Sequence, residues 1–94
     1  MNKHQLIAAA SRRSSLTQRQ TREALEAILE VIADVLTEGE PVTISGFGRF
    51  DVQPYAGRKL YRFDGPGHYL VSDRRVPVFR SSERLRQRLR RRES

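Results

Sequence analysis

The sequence predicts an α+β fold with two N-terminal helices, a three-stranded antiparallel sheet that extends into a β-ribbon arm, and a short C-terminal helix. Three observations lead to this prediction. Apolar residues recur at helical spacing over the first 40 positions, they alternate with polar residues from Val42 onward, and the last segment is a short helix rich in arginine. A chain of 94 residues with 37% hydrophobic content has room for one domain with a thin core.

Capping residues mark both ends of the helical half. A short helix is predicted over about residues 3–13, and a longer helix follows a connection of three residues. The first helix is predicted to start at a capping pair, Asn2 with Gln5, and the second at a capping pair of the same kind, Thr17 with Gln20. The second helix is predicted to end at Gly39 and Pro41. The polar stripe of the second helix is mostly acidic, which argues against a helix-turn-helix that reads DNA.

The apolar side of the second helix is too broad to pack on one neighbour only. Its members are Ala24, Leu25, Ala27, Ile28, Leu29, Val31, Ile32, Val35 and Leu36. We expect part of this side to face the sheet of the same chain and the rest to contact a second copy, which makes the protein a homodimer. The alternative, a core helix within a monomer, is less favoured because no other segment is apolar enough to enclose it.

The strands begin after Gly39. Alternating apolar residues predict a hairpin whose turn is Ser45 to Gly48. The glycines of that turn serve a tight bend, since a strand follows where a dinucleotide site would need a helix. Pro54 and Gly57 are expected to loosen the strand that follows this turn, and a strand is expected to resume over residues 71–79.

The segment between these strands is predicted to form the arm, over about residues 54–76. Its aromatic and basic residues do not alternate in a way that would define one buried and one exposed face, and residues 64–67 are predicted to form a turn. A two-stranded ribbon of this length has no core of its own. We therefore expect the arm to project and to become ordered on a partner.

Charge separates the two halves of the chain. Residues 1–40 hold 5 basic and 6 acidic residues, whereas residues 41–94 hold 13 and 5, and the formal net charge is +7. Sixteen of the 18 basic residues are arginine, whose planar fork suits bidentate contact with phosphate. This distribution predicts binding to a polyanion. Lipid binding by the last helix is less favoured, because Leu85 and Leu89 are its only leucines.

Catalysis is not predicted. The chain has no cysteine, and His4 and His68 lie in separate elements without a metal-ligand partner at helical spacing. The carboxylates occupy a solvated stripe, strands, turns and a cap, with no nucleophile and base together. We therefore expect no enzyme activity, no metal and no cofactor. No apolar run approaches the ~20 residues of a membrane span, so a cytoplasmic protein is expected.

Three segments resemble the HU/IHF family of bacterial histone-like DNA-bending proteins. They are MNKHQLI at the start, GFGRF at 46–50, and VPVF at 76–79 before a short basic helix. The likeness runs from residue 1 to about residue 90 without an insertion. It implies an intertwined dimer whose two ribbons embrace double-stranded DNA, bend it and compact it with little sequence specificity. It also implies association with the nucleoid.

The resemblance also implies a division of labour within one domain that covers residues 1–94. Residues 1–40 form the helical dimerisation part, and residues 41–80 form the sheet with its arm. Residues 81–94 form the basic C-terminal helix and tail.

The predicted DNA-binding residues are basic side chains and residues near the tip of the arm. They are Lys3, Arg58, Lys59, Tyr61, Arg62, Phe63, Pro66, Arg74, Arg75, Arg80, Arg84, Arg86 and Arg88. The arm departs from the family pattern, and ungapped register places Phe63 at the position of the intercalating proline. Pro66 is the rival candidate for that wedge. Position 83, often lysine in HU, is Glu83 here.

Two other functions stay open at this point. The altered arm is also compatible with clamping DNA without intercalation, which would make the chain a non-bending coating protein. The arginine-rich tail is also compatible with an RNA or protein partner. A heterodimer with a paralogue remains an alternative to the homodimer.

Overall fold

The computed structural model describes residues 1–55, 59–61, 68–70 and 74–93 of the chain. Within these ranges it contains three helices and five strands, which confirms the predicted α+β class. In chain order the elements are α1 (Lys3–Arg12), α2 (Gln18–Thr37), β1 (Val42–Ile44), β2 (Gly48–Tyr55), β3 (Lys59–Tyr61), β4 (His68–Leu70), β5 (Arg74–Ser81) and α3 (Glu83–Glu93). The chain divides into two compact units, Met1–Val35 and Leu36–Ser94, which we describe separately.

Local capping fixes the ends of the helices in the first unit. The Asn2 side chain accepts a hydrogen bond from the backbone of Gln5 at 2.8 Å, and the Gln5 side chain accepts one from the backbone of Asn2 at 3.0 Å. Thr17 and Gln20 form the same reciprocal pair, with both distances at 3.0 Å. Both predicted capping boxes are therefore confirmed, since each satisfies two N–H groups that have no partner within the helix.

Very little of the first unit is buried within one chain. Ile7 is 1% exposed and is the single buried hydrophobic residue among those described, whereas Ile28 is 53% exposed and Val31 is 59% exposed. The apolar side of α2 is thus largely uncovered. A core helix of a monomer would bury these residues, so the monomer alternative does not account for them.

The sheet of the second unit is antiparallel and has the order β1-β2-β5. β2 pairs with β5 from Gly48 opposite Ser81 to Tyr55 opposite Arg74, and β3 pairs with β4 as a two-stranded sheet. In every β2–β5 pair and every β3–β4 pair the two residue numbers add up to the same total. The β3–β4 pairing therefore continues the β2–β5 register with no inserted residue, as a long hairpin requires.

Strand β2 continues through Pro54, which lies opposite Arg75, and ends at Tyr55. Gly57, the other residue expected to loosen this strand, lies outside the described residues. Proline lacks an N–H donor, which a strand tolerates where no neighbour needs that donor. Strand β1 pairs only with residues 48–50, so among the described strands the other edge of β2 carries no partner at position 54. The last strand also continues past Phe79 to Ser81.

Two glycines shape the β1–β2 turn in the predicted way. Gly46 has φ +77, a conformation that disfavours other residues, and Phe47 N–H donates to the Ile44 carbonyl at 3.0 Å to close the turn. At Gly48 a Cβ atom would collide with the Phe79 ring and the Arg80 carbonyl. The absence of a side chain there lets Phe79 pack against Phe47 and Phe50, with ring centroids 5.5 and 5.0 Å away.

Candidate nucleic-acid interface

Strand β5 and helix α3 carry most of the predicted basic site residues whose side chains are described. The junction between these elements is fixed by Ser82, whose hydroxyl accepts a hydrogen bond from Leu85 N–H at 3.1 Å and so caps α3. Ser82 N–H donates to the Phe47 carbonyl at 2.9 Å. The start of α3 is thereby attached to the β1–β2 turn, which fixes the position of the helix that carries the arginines.

The arginines of β5 do not share one face. Arg75 and Arg80 are an odd number of positions apart, so strand geometry places their side chains on opposite faces of the sheet. A guanidinium nitrogen of Arg75 lies 3.5 Å from where a Cβ of Gly39 would be, which puts it beside the turn after α2. Both arginines are exposed, but they belong to different surfaces.

Arg80 has a basic neighbour that sequence reasoning missed. Arg49 of β2 lies directly opposite Arg80 in the register of the sheet. Two like charges opposite each other repel, and Asp51 offsets part of this repulsion because its carboxylate lies 3.4 Å from Arg49 Nε. The alternation of Arg49 and Asp51 along β2 was visible in the sequence, but the pairing with Arg80 needed the register.

A groove forms between the β1–β2 turn and one side of α3. The members of its lining are Ser45, Gly46, Phe47, Glu83, Arg84, Gln87, Arg88 and Arg91. Arg84 crosses closest to the turn, with side-chain atoms 3.6 Å from where a Cβ of Gly46 would be. A Cβ at this position would make only an ordinary van der Waals contact with the arginine, so it is the positive φ, and not lack of room, that favours glycine at position 46. Arg84 and Arg88 lie one helical turn apart, so they belong to one stripe of α3.

A second stripe of α3 is held by an acidic residue. Glu83 Oε2 accepts hydrogen bonds from Arg86 Nη2 at 2.9 Å and Arg86 Nε at 3.2 Å, and Glu83 Oε1 accepts one from Arg90 Nη2. Arg86 Nη1 also donates to the Ser81 carbonyl at 2.6 Å. Hydrogen bonds from Arg86 and then Arg90, together with their positive charges, lower the pKa of Glu83 below the usual glutamate value.

Lys3 is the predicted binding residue of the first unit. Its ammonium nitrogen lies 3.5 Å from a carboxylate oxygen of Glu26 on α2, and both side chains are about half exposed. An exposed pair of this kind is weak, so the lysine stays available to an anionic partner.

Three of the remaining predicted residues lie on described strands. Lys59 and Tyr61 lie on β3, and Arg74 is the first residue of β5. The other four, including the proposed wedge and its rival, lie outside the described residues. They are Arg58, Arg62, Phe63 and Pro66.

Other kinds of site find no support among the described residues. Within those ranges, no group of three or more His, Cys, Asp or Glu could hold a metal ion. No described helix is both long and apolar enough to cross a membrane. The apolar surface of α3 is also small, because it consists of two leucines, of which Leu89 is 58% exposed and Leu85 is half-buried.

Known proteins resemble this chain over nearly its full length. A family model described as bacterial DNA-binding protein matches residues 1–90. The chain is 37% identical to the DNA-binding protein HU of Haemophilus influenzae over 86 residues, which cover 92% of this chain and 96% of that protein. It is 33% identical to the HU protein of Staphylococcus aureus, again over 92% and 96%.

A solved structure shows the same architecture. The Anabaena HU–DNA cocrystal structure has a TM-score of 0.83 to this chain and 29% sequence identity, and the match covers 95% of this chain and 97% of that one. The likeness therefore extends over both units and includes the strands as well as the helices.

Proposed function

Because the chain belongs to the family of bacterial DNA-binding proteins that includes HU, we propose that it binds double-stranded DNA as an architectural protein that bends and compacts it. The observation that carries this proposal is the shared register of β2–β5 and β3–β4, which is the register expected of one long two-stranded ribbon, together with the basic helix that follows β5. A ribbon can enter the minor groove while arginines neutralise the flanking phosphates. The match to an HU structure solved with DNA supports the same function.

The functional form is a dimer of this chain. The exposed apolar side of α2 supports this assignment, because a second copy would cover Ile28 and Val31. Burial of that surface stabilises the dimer by roughly 25 cal/mol for each Å² of apolar area removed from water. A related subunit with the same apolar side would serve equally, so a heterodimer with a paralogue is the second form to test.

Within this function, the chain works as one domain whose parts divide the tasks. Residues 1–40 dimerise, the sheet of residues 41–80 carries the arm, and residues 81–94 supply a basic helix and tail. Because the relatives are named as DNA-binding proteins, the chain acts by binding rather than by catalysis. It works where the chromosome is, in the cytoplasm at the nucleoid.

The proposed DNA contacts are the predicted site residues together with Arg49. The basic ones contact phosphates, and the residues of the arm enter the groove. The two regions do different work, since phosphate contacts supply affinity and an inserted side chain supplies the bend.

Competition binding tests this function. Fluorescently labelled duplex DNA is displaced by unlabelled intact duplex, nicked duplex, single-stranded DNA and double-stranded RNA of equal length. An architectural protein prefers duplex DNA, and nicked duplex most, because a nick lowers the cost of bending. Equal competition by intact and nicked duplex would favour the coating function. Stronger competition by RNA would move the function to an RNA partner.

The wedge is tested by two substitutions at the tip of the arm. We expect Phe63→Ala to reduce the DNA bend and the preference for nicked duplex, because an apolar ring offsets the few kcal/mol that unstacking a base step costs. Energy transfer between dyes at the two ends of a short duplex measures the bend. Pro66→Ala is the matched control and should change it much less. A reduced bend for Pro66→Ala alone would transfer the wedge to the proline.

A further inference from the structure

The arginines of α3 differ in what holds them, although they are alike in sequence. All three nitrogens of the Arg86 guanidinium make hydrogen bonds within the protein, two of them to Glu83 and the third to the Ser81 carbonyl. The Ser81 hydrogen bond at 2.6 Å ties the first turns of α3 to the end of β5. Arg86 is thus committed to the structure of the second unit, and little of its hydrogen-bonding capacity faces outward.

Arg90 is held by the same carboxylate. Its Nη2 contacts Glu83 Oε1, so one glutamate engages two arginines through its two oxygens. The lowered pKa of Glu83 agrees with a carboxylate that these arginines keep ionised. All three side chains are at least half exposed, so each pair by itself is weak; the cluster differs from the single Lys3–Glu26 pair because one carboxylate engages two arginines and Arg86 also donates to the Ser81 carbonyl.

Arg84 and Arg88 are in a different situation. They line the groove beside the β1–β2 turn, and among the side chains that the structure describes no carboxylate pairs with either of them. Their positive charge is therefore not neutralised within the described part of the chain. Glu83 also lines this groove, but its ion pairs are with Arg86 and Arg90, so a phosphate would meet the guanidinium groups of Arg84 and Arg88 without first breaking an ion pair.

We propose that Glu83 determines which arginines of α3 meet phosphate: it holds Arg86 and Arg90 within the protein, whereas Arg84 and Arg88 stay available to a phosphate. This inference rests on the proposed DNA binding and narrows it, because the sequence alone placed Arg86 among the contacts. Glu83 also repels the DNA backbone directly. The helix consequently binds fewer phosphates than its number of arginines suggests. DNA binding is therefore weaker and less sensitive to salt than it would be if Arg86 and Arg90 also contacted phosphates.

Two variants that each replace one arginine of α3 with an uncharged residue test this proposal. Arg88→Gln and Arg90→Gln remove the same charge from the same helix, two positions apart. The slope of log affinity against log salt falls by about 0.9 for each B-DNA phosphate that the protein no longer neutralises. We expect that decrease, per subunit bound to DNA, for Arg88→Gln and a decrease below about a third of it for Arg90→Gln. Equal decreases for the two variants would overturn the proposal.

Removing the glutamate should release Arg90. In Glu83→Gln we expect the slope to increase by about 0.9 per subunit and the affinity for duplex DNA to rise about three- to tenfold at low salt. Arg90→Gln added to this variant should then reverse the increase in slope. The control is Glu40→Gln, which makes the same change in net charge at an exposed position away from α3. If Glu83→Gln and Glu40→Gln change the salt slope and the affinity equally, Glu83 acts only through net charge and the proposal is wrong.

The readouts separate this inference from the function on which it rests. If the wild-type protein shows no salt-dependent binding to duplex DNA, the proposed function fails and the inference fails with it. If the wild-type protein binds but the variants do not differ, only the inference about Glu83 fails. Circular dichroism checks the fold of each variant, and should Glu83→Gln not fold, the comparison of Arg88→Gln with Arg90→Gln in the wild-type background still decides.

Discussion

Helices α2 and α3 both leave most of their side chains exposed in a single chain, but they expose opposite chemistry. Helix α2 exposes apolar residues such as Ile28 and Val31, and α3 exposes arginines around Leu85 and Leu89. Exposed apolar area is covered by another protein surface, because water is a poor solvent for it. Exposed arginine requires no such cover and instead attracts a polyanion. The difference supports the two proposals that α2 contacts a protein partner and that α3 contacts DNA.

The strongest test of this difference is a charge placed on the apolar side of α2. A residue that is 53% exposed in the functional form would tolerate aspartate, whereas a dimer interface would have to bury an unpaired charge at a cost of several kcal/mol. We expect Ile28→Asp to abolish both folding and DNA binding, as measured by circular dichroism and sedimentation. The control, Glu30→Asp on the polar stripe, should change neither.

A stable folded monomer of Ile28→Asp in sedimentation would contradict the dimer. It would also remove the contrast between the two helices, because α2 would then face water in the functional protein.

The next effect is the salt dependence of binding. Neutralising Arg75, Arg84 and Arg88 together with glutamine should reduce the salt slope by about 0.9 for each phosphate that is left without its arginine. The matched control neutralises Arg12, Arg13 and Arg19, which removes the same charge from the first unit. Titrations by fluorescence anisotropy at several salt concentrations measure both slopes. Equal slopes for the two triple variants would place the binding surface elsewhere.

A smaller effect is expected from the turn that supports α3. Gly48→Ala places a Cβ against the Phe79 ring and the Arg80 carbonyl, so the strands must shift. Overpacking of this kind costs about 1–3 kcal/mol of unfolding free energy, measurable by urea denaturation. Gly46→Asn is the comparison, because asparagine tolerates a positive φ and this position has more room. A larger loss of stability at Gly46 than at Gly48 would contradict this packing.

The smallest expected effect is the pH dependence of stability that the Glu83 cluster contributes. Hydrogen bonds from Arg86 and Arg90 lower the pKa of Glu83 in the folded protein, so the contribution is present above the usual glutamate pKa and is lost as the pH falls through the lowered value. Thermal unfolding should show wild type slightly more stable than Glu83→Gln at about pH 7 and equally stable at about pH 2. A difference that grows on acidification would have the wrong sign.

Sequence reasoning predicted the helical part most completely. Both capping boxes, the two helix spans and the β1–β2 turn follow from residues within four positions of one another, and each was confirmed. Such features depend on short-range hydrogen bonds and on the φ that glycine permits. The path of β2 through Pro54 was not predicted, because the tolerance for a proline depends on which strands lie alongside it.

The sequence by itself determined the α+β class, the basic second half of the chain, the helix caps and the tight turn, because composition and local hydrogen bonding suffice for these. The tertiary structure decided which residues meet: that β3–β4 continues the β2–β5 register, that Arg49 lies opposite Arg80, and that Gly48 makes room for Phe79. It also decided that Glu83 engages Arg86 and Arg90 while Arg84 and Arg88 line the groove. Composition treats every arginine alike, but the charge that an arginine can offer to a phosphate depends on the atoms already within hydrogen-bonding distance of it.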